Sequence, residues 1–144
     1  MNWEGVMPAI TTKFTNDDKL DIDLFNKNIH TQVDAGVSAI VLGGSLGEAS
    51  TLTAAEKNIL TKNTVSITNG KLPIVVNIAE QSTKEAIQSA IKAEENGASG
   101  LMVLPPMRYK SSDTETVKYF RDIAMNTSLP IMIYNNPVDY KIEV

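Results

Sequence analysis

The sequence predicts an α/β protein built from parallel strand–helix units. Short apolar, β-branched runs alternate with helix-length segments at intervals of roughly thirty residues. Ser/Thr-x-x-Glu boxes stand where several of those helices should begin. Two helix-to-strand joins also resemble each other, Asp34-Ala35-Gly36-Val37-Ser38-Ala39-Ile40 against Glu95-Asn96-Gly97-Ala98-Ser99-Gly100-Leu101. Repeating units of this kind give a parallel sheet with right-handed crossovers. Two closures are open: a doubly wound sheet, or part of a (β/α)₈ barrel. The pattern supplies roughly five strands and roughly four helices, whereas a full barrel needs eight of each and about 250 residues. A barrel would therefore be incomplete within residues 1–144, which read as a single domain without a linker.

Gly5-Val6-Met7-Pro8-Ala9-Ile10-Thr11-Thr12 reads as the first strand, with Pro8 tolerable near an end or an irregular pairing. Asn16-Asp17-Asp18 is a turn. Asp21 is an N-cap for a helix from Ile22 to about Ala35, with Leu24, Phe25, Ile29 and Val33 near helical spacing. Gly36 ends it. Ala39-Ile40-Val41-Leu42 is apolar enough to be a strand buried on both faces. Thr53-Ala54-Ala55-Glu56 opens the next helix. Pro73 to Ala79 is the third strand, Ser82-Thr83-Lys84-Glu85 a second box, and Gly97 the end of its helix. Leu101 to Leu104 is the fourth strand, closed by Pro105-Pro106. Ser112-Asp113-Thr114-Glu115 opens a helix expected to turn Val117, Phe120, Ile123 and Ala124 inward. Pro130 to Tyr134 is the fifth strand, and Asn135-Asn136-Pro137 a turn.

Composition removes several classes of function. The net charge of -4 leaves no basic footprint for nucleic acid. With no cysteine there are no disulfides, thiolate metal ligands or thiol nucleophiles, which fits a reducing, cytoplasmic location. The single histidine, His30, falls mid-helix at the edge of the apolar stripe, so neither a histidine metal cluster nor a triad is expected. No metal or cofactor is expected. The amino terminus has no signal-peptide pattern, and no apolar run is long enough to span a membrane.

The chemistry converges on the carboxyl ends of the strands. That face would carry Thr11, Thr12 and Lys13, then Gly43-Gly44-Ser45-Leu46-Gly47-Glu48, Asn77, Pro105 to Tyr109, and Tyr134-Asn135. Hydroxyls dominate it, and Lys13 is the one obvious amine. The glycines allow a sharp turn and a close ligand approach, so the loop is either a tight βα turn or a cradle for a carboxylate or other anion. It lacks the G-x-G-x-x-G spacing of a dinucleotide fingerprint. Glu48 reads as a buried hydrogen-bond anchor. Tyr134 is either a core aromatic at a strand end or a proton shuttle oriented by a hydroxyl neighbour. Arg108 could pair bidentately with a second carboxylate or stand solvated.

Gly44-Ser45-Leu46-Gly47-Glu48, Tyr134-Asn135-Asn136-Pro137 and Gly5 to Thr12 together resemble the dihydrodipicolinate synthase / N-acetylneuraminate lyase family, in order and spacing, over essentially the whole chain. The resemblance implies a (β/α)₈ barrel, usually self-associated as a homo-oligomer. It also implies a Schiff base between a lysine and a small 2-keto acid such as pyruvate. Gly44, Ser45 and Leu46 fall where the family's Gly-Thr-Thr loop holds the keto-acid carboxylate; Ser45 keeps the first hydroxyl and Leu46 retains only its backbone amide. Tyr134 falls at the proton-relay tyrosine. The synthase's second relay tyrosine falls near Met107 and is missing, with Tyr109 displaced from it. Tyr109 and Arg108 are then candidates for binding the substrate. These departures point toward a deaminase of hydroxylated pyrroline carboxylates or an aldolase of sugar-derived keto acids. The family's Schiff-base lysine lies on the sixth strand, and no lysine here matches it; Lys13 and Lys141 stand elsewhere. The alternative is a non-catalytic half-barrel that self-assembles or binds a partner through its open edges.

Overall fold

The computed structural model describes residues 1–106, 109–142 and 144. Along the chain run α1 (Ile22–Asp34), β1 (Ile40–Leu42), a 3₁₀ turn (Ser45–Gly47), α2 (Ala54–Thr68), β2 (Ile74–Ile78), α3 (Thr83–Glu95), β3 (Gly100–Val103), α4 (Asp113–Ala124), β4 (Ile131–Ile133) and α5 (Pro137–Tyr140). The strands form one parallel sheet in the order β1-β2-β3-β4. Val41 is paired with Val75, Asn77 with Met102, and Met102 with Met132.

The helices begin where their caps dictate. Asp21 accepts the Leu24 N–H at 2.9 Å. Thr53 and Ser112 close full capping boxes with Glu56 and Glu115. Ser82 caps α3 through the Glu85 N–H, but the Glu85 carboxylate accepts the Ser82 hydroxyl rather than its N–H, so this box is half formed. Gly36 and Gly97 follow α1 and α3 with φ of 73° and 88°, the left-handed region that glycine enters freely.

The sheet differs from expectation at both edges. Residues 5–12 do not form a regular strand. Ala9 makes a single parallel bridge to Val41, with the Ile10 N–H donating to the Val41 carbonyl and the Val41 N–H to that of Pro8. The next donor the ladder would need is the nitrogen of Pro8, which carries no hydrogen. At the other edge β4 is only half-buried, with Ile133 44% exposed. Beyond it the expected turn winds into α5, which Asn136 caps by accepting the Asp139 N–H.

Two helix stripes also shift. In α1, Phe25 and Ile29 are buried and Leu24 is exposed, since it lies about 100° round the helix from Phe25; Val33 is exposed too. In α4 the buried stripe is Thr116, Tyr119, Phe120 and Ile123, the spacing of one helical face, and Val117 and Ala124 point out. His30 is exposed on α1, as its place predicts.

Strand alternation divides the core in two. Ile40, Leu42, Ile74, Val76, Ile78, Leu101 and Val103 face the helices. Val41, Val75, Met102 and Leu104 face the opposite way and gather Trp3, Met7, Met132 and Tyr140 around them.

Candidate functional site

The opposite face ends in a hollow of about 550 Å³ at the carboxyl ends of the strands. Gly44, Ser45 and Leu46 follow β1 onto its wall, Asn77 reaches it from β2, Leu104 follows β3, and Tyr134 follows β4. Trp3, Met7 and Met132 make its apolar floor. Among the described residues, none that lines it carries a charged side chain.

The glycine loop is shaped by bonds to its carbonyls. Gly43 turns with φ 69°. The Gly47 N–H donates to the Gly44 carbonyl at 2.9 Å, and the Glu48 N–H to that of Ser45 at 3.1 Å, closing the 3₁₀ turn. Only glycine fits at position 47, where a Cβ would stand 2.9 Å from the Ile10 carbonyl oxygen. The flanking carbonyls are taken by side chains: Thr12 Oγ1 donates to Gly47 O at 2.6 Å and Asn77 Nδ2 to Gly43 O at 2.7 Å. A helical turn leaves its first N–H groups without internal partners, and here those belong to Ser45 and Leu46. With the flanking carbonyls occupied, the loop offers an anion two N–H donors and the Ser45 hydroxyl in a hollow to which the described residues bring no charged side chain.

Asn77 is 6% exposed, and its Oδ1 is buried without a partner among the described residues. Leaving such an acceptor dry costs about 1–3 kcal/mol. Tyr134 extends the β3–β4 ladder, donating its N–H to Val103 O at 2.9 Å. Its ring leans on Tyr140 with centroids 6.2 Å apart, which leaves it 40% exposed on the hollow's rim.

Of the residues singled out in the sequence, the structure brings Gly44, Ser45, Leu46 and Tyr134 to one hollow. Tyr109 is 69% exposed and is not among the residues lining it. Arg108 and Met107 lie outside the described residues. Glu48 is not the buried anchor expected: it is exposed, and its left-handed backbone (φ 59°) ends the turn. Lys13 is half-buried and off the wall, its carbonyl held by the Asp21 N–H at 2.8 Å; Lys141 is exposed. Thr12 and Asn77 stand on the face the sequence indicated, but nothing in their spacing showed that they bind the glycine loop. Trp3 and Met7 gave no signal, because their place in the floor depends on how the irregular amino-terminal segment crosses the sheet.

Elsewhere, Lys57 and Glu80 pair at 2.9 Å in a hollow of about 490 Å³ between α2 and α3, with Ser89 donating to the same carboxylate. Burial, and secondarily the Glu80 charge, pushes the Tyr119 phenol well above its ordinary pKa. Among the described residues there is no group of three or more acidic or histidine side chains able to hold a metal ion. No helix there is long and apolar enough to cross a membrane.

Residues 2–144 match the model of the dihydrodipicolinate synthetase family. The 4-hydroxy-tetrahydrodipicolinate synthase of Bacillus subtilis (strain 168) is 34% identical over 137 residues, 95% of this chain and 47% of the relative. Two solved structures superpose closely. Dihydrodipicolinate synthase from Acinetobacter baumannii, complexed with pyruvate, gives a TM-score of 0.94 at 27% identity over 99% of this chain and 49% of its own. A monomeric dihydrodipicolinate synthase variant gives 0.92 at 31% identity over 97% and 46%. The chain thus spans about half the length of the curated relatives it matches, and its four parallel strands and five helices are part of a (β/α)₈ barrel.

Proposed function

The chain belongs to the dihydrodipicolinate synthetase family, and from that premise we propose that it forms the amino-terminal half of a lyase barrel and grips a small 2-keto acid by its carboxylate. The N–H groups of Ser45 and Leu46 and the Ser45 hydroxyl receive the carboxylate, and Gly44 lets it approach the backbone closely. Tyr134, on the rim, carries protons to and from the substrate carbon and oxygen. The observation that carries this reading is the glycine loop: the carbonyls of Gly43 and Gly47 are bonded within the protein, and its turn opens on the hollow. The pyruvate seen in the A. baumannii neighbour is a ligand of the matching size and charge.

The reaction proposed is that of a Schiff-base lyase, acting on hydroxylated pyrroline carboxylates or sugar-derived keto acids in the cytoplasm as a homo-oligomer. In this reading the nucleophilic lysine comes from outside these residues; no lysine is among the described residues that line the hollow. Arg108 and Tyr109 would meet the substrate's distal end.

The test titrates the 144-residue chain with pyruvate, following amide shifts and, separately, intact mass after borohydride reduction. Saturable shifts centred on Ser45 and Leu46 with unchanged mass are expected. No shift at any concentration overturns the carboxylate site, and one reduced adduct overturns the missing lysine. The second reading, a half-barrel that self-assembles, is favoured by the open edge at β4, where Ile133 and Val138 are exposed. Sedimentation as a monomer with a cooperative thermal transition would end it.

A further inference from the structure

We infer that Asn77 and Thr12 are positioning residues for the glycine loop, a clamp that turns its carbonyls away and its N–H groups toward the ligand. The inference rests on the carboxylate-site reading and names what organises that site. Thr12 and Asn77 come from opposite sides of the loop, the first from the segment bridging β1 and the second from β2. Each donates to one carbonyl flanking the turn, Gly47 O at 2.6 Å and Gly43 O at 2.7 Å. Both are nine-tenths buried, at 7% and 6% exposure, so neither bond competes with water. If either carbonyl swung inward, an oxygen would meet the ligand's carboxylate and repel it.

The orphaned Oδ1 of Asn77 is the second observation. Turning the carboxamide over would satisfy nothing, because it would set Oδ1 against the Gly43 oxygen. The side chain thus holds the loop with one end while the other has no partner among the described residues. A leucine of similar size would remove that acceptor but leave the Gly43 carbonyl without its donor. Packing alone would ask for no amide at this position; the bond to Gly43 O is what the amide supplies.

The experiment compares Asn77→Leu, Thr12→Val and Thr12→Ser with the unmodified chain, reading pyruvate affinity, Tm, and hydrogen exchange at the Ser45 and Leu46 amides. Asn77→Leu should lower pyruvate affinity about tenfold, the size of one lost hydrogen bond, and the two amides should exchange faster. Thr12→Val should weaken binding similarly, and Thr12→Ser, which keeps the hydroxyl, should restore it. Unchanged affinity and unchanged amide exchange in Asn77→Leu overturn the clamp. So does a fall in Tm with affinity intact, which is what a packing role would give. If the unmodified chain binds no pyruvate, the carboxylate reading fails by itself. The clamp is then decided by the amides: faster exchange in Asn77→Leu and Thr12→Val upholds it, and none overturns it.

Discussion

The two faces of the sheet are made by alternate residues of the same strands, yet they are finished differently. On one face Ile40, Ile74, Leu101 and Val103 are sealed under α1 to α4 by Phe25, Ile29, Ala86, Ala90 and Ile123, all buried. On the other, Val41, Val75 and Met102 meet only half-buried neighbours, Trp3, Met7, Met132 and Tyr140, around an open hollow. The first face is covered by this chain's own helices, apart from the hollow between α2 and α3; the second lies open around the glycine loop. Stability and ligand binding are thereby separated by the pleat of a strand.

The sharpest challenge to that contrast is a pair of truncations. Ile123→Ala, on the sealed face with no exposure, should cost about 2–5 kcal/mol, since a packed site collapses poorly round the cavity left behind. Met132→Ala, half-buried on the open face, should cost under about 1.5 kcal/mol, because much of its surface is already wet. Urea unfolding with unchanged m-values measures both. Equal costs would show the open face to be as tightly built as the sealed one.

A smaller effect belongs to the caps that set the helices of the sealed face. Ser112→Ala removes one side of the α4 capping box and should cost about 1 kcal/mol. An unchanged urea midpoint would mean that packing alone sets the start of α4.

The smallest effects concern pH. Hydrogen bonds from the Ser128 and Thr127 side chains and the Ser128 N–H hold Glu94 below the ordinary carboxylate range. Its contribution is therefore present above the unfolded value and is lost as pH falls through the lower folded one. Glu94→Gln should flatten the acid limb of Tm against pH; an identical limb would make the contact energetically idle. Tyr119 has the opposite sign. Its folded pKa is raised, so the unfolded chain ionises first above pH 10 and stability falls there. Tyr119→Phe deletes a buried hydroxyl that has no partner among the described residues, and should leave Tm at neutral pH unchanged or slightly higher while flattening the alkaline limb. A clear loss of Tm would show that the hydroxyl is satisfied in solution.

Much of the fold was legible because it depends on local chemistry. Ser/Thr and Glu three residues apart satisfy orphan N–H groups whatever surrounds them, so the starts of α2 and α4 fall where expected. The glycine loop and Tyr134 were legible as members of one face because parallel strands all end on the same side. Val117 was misjudged because helical spacing admits neighbouring stripes, and only contact with α3 selects the one through Tyr119 and Phe120. Glu48 was misjudged because a charge beside glycines says nothing about which way the turn unwinds.

The sequence by itself determined the order of elements from α1 to β4, the caps of α1, α2 and α4, and the small, hydroxyl-bearing loop after β1, all properties of residues near one another in the chain. Only the tertiary structure decided that Thr12, 35 residues from Gly47, and Asn77, 34 residues from Gly43, take that loop's carbonyls. It also decided that residues 5–12 join the sheet by a single bridge and that Trp3 and Met7 floor the hollow. The physical reason is range. A cap or a turn is a bargain among a few successive residues, whereas the direction of a loop's N–H groups depends on donors that chain folding brings from elsewhere.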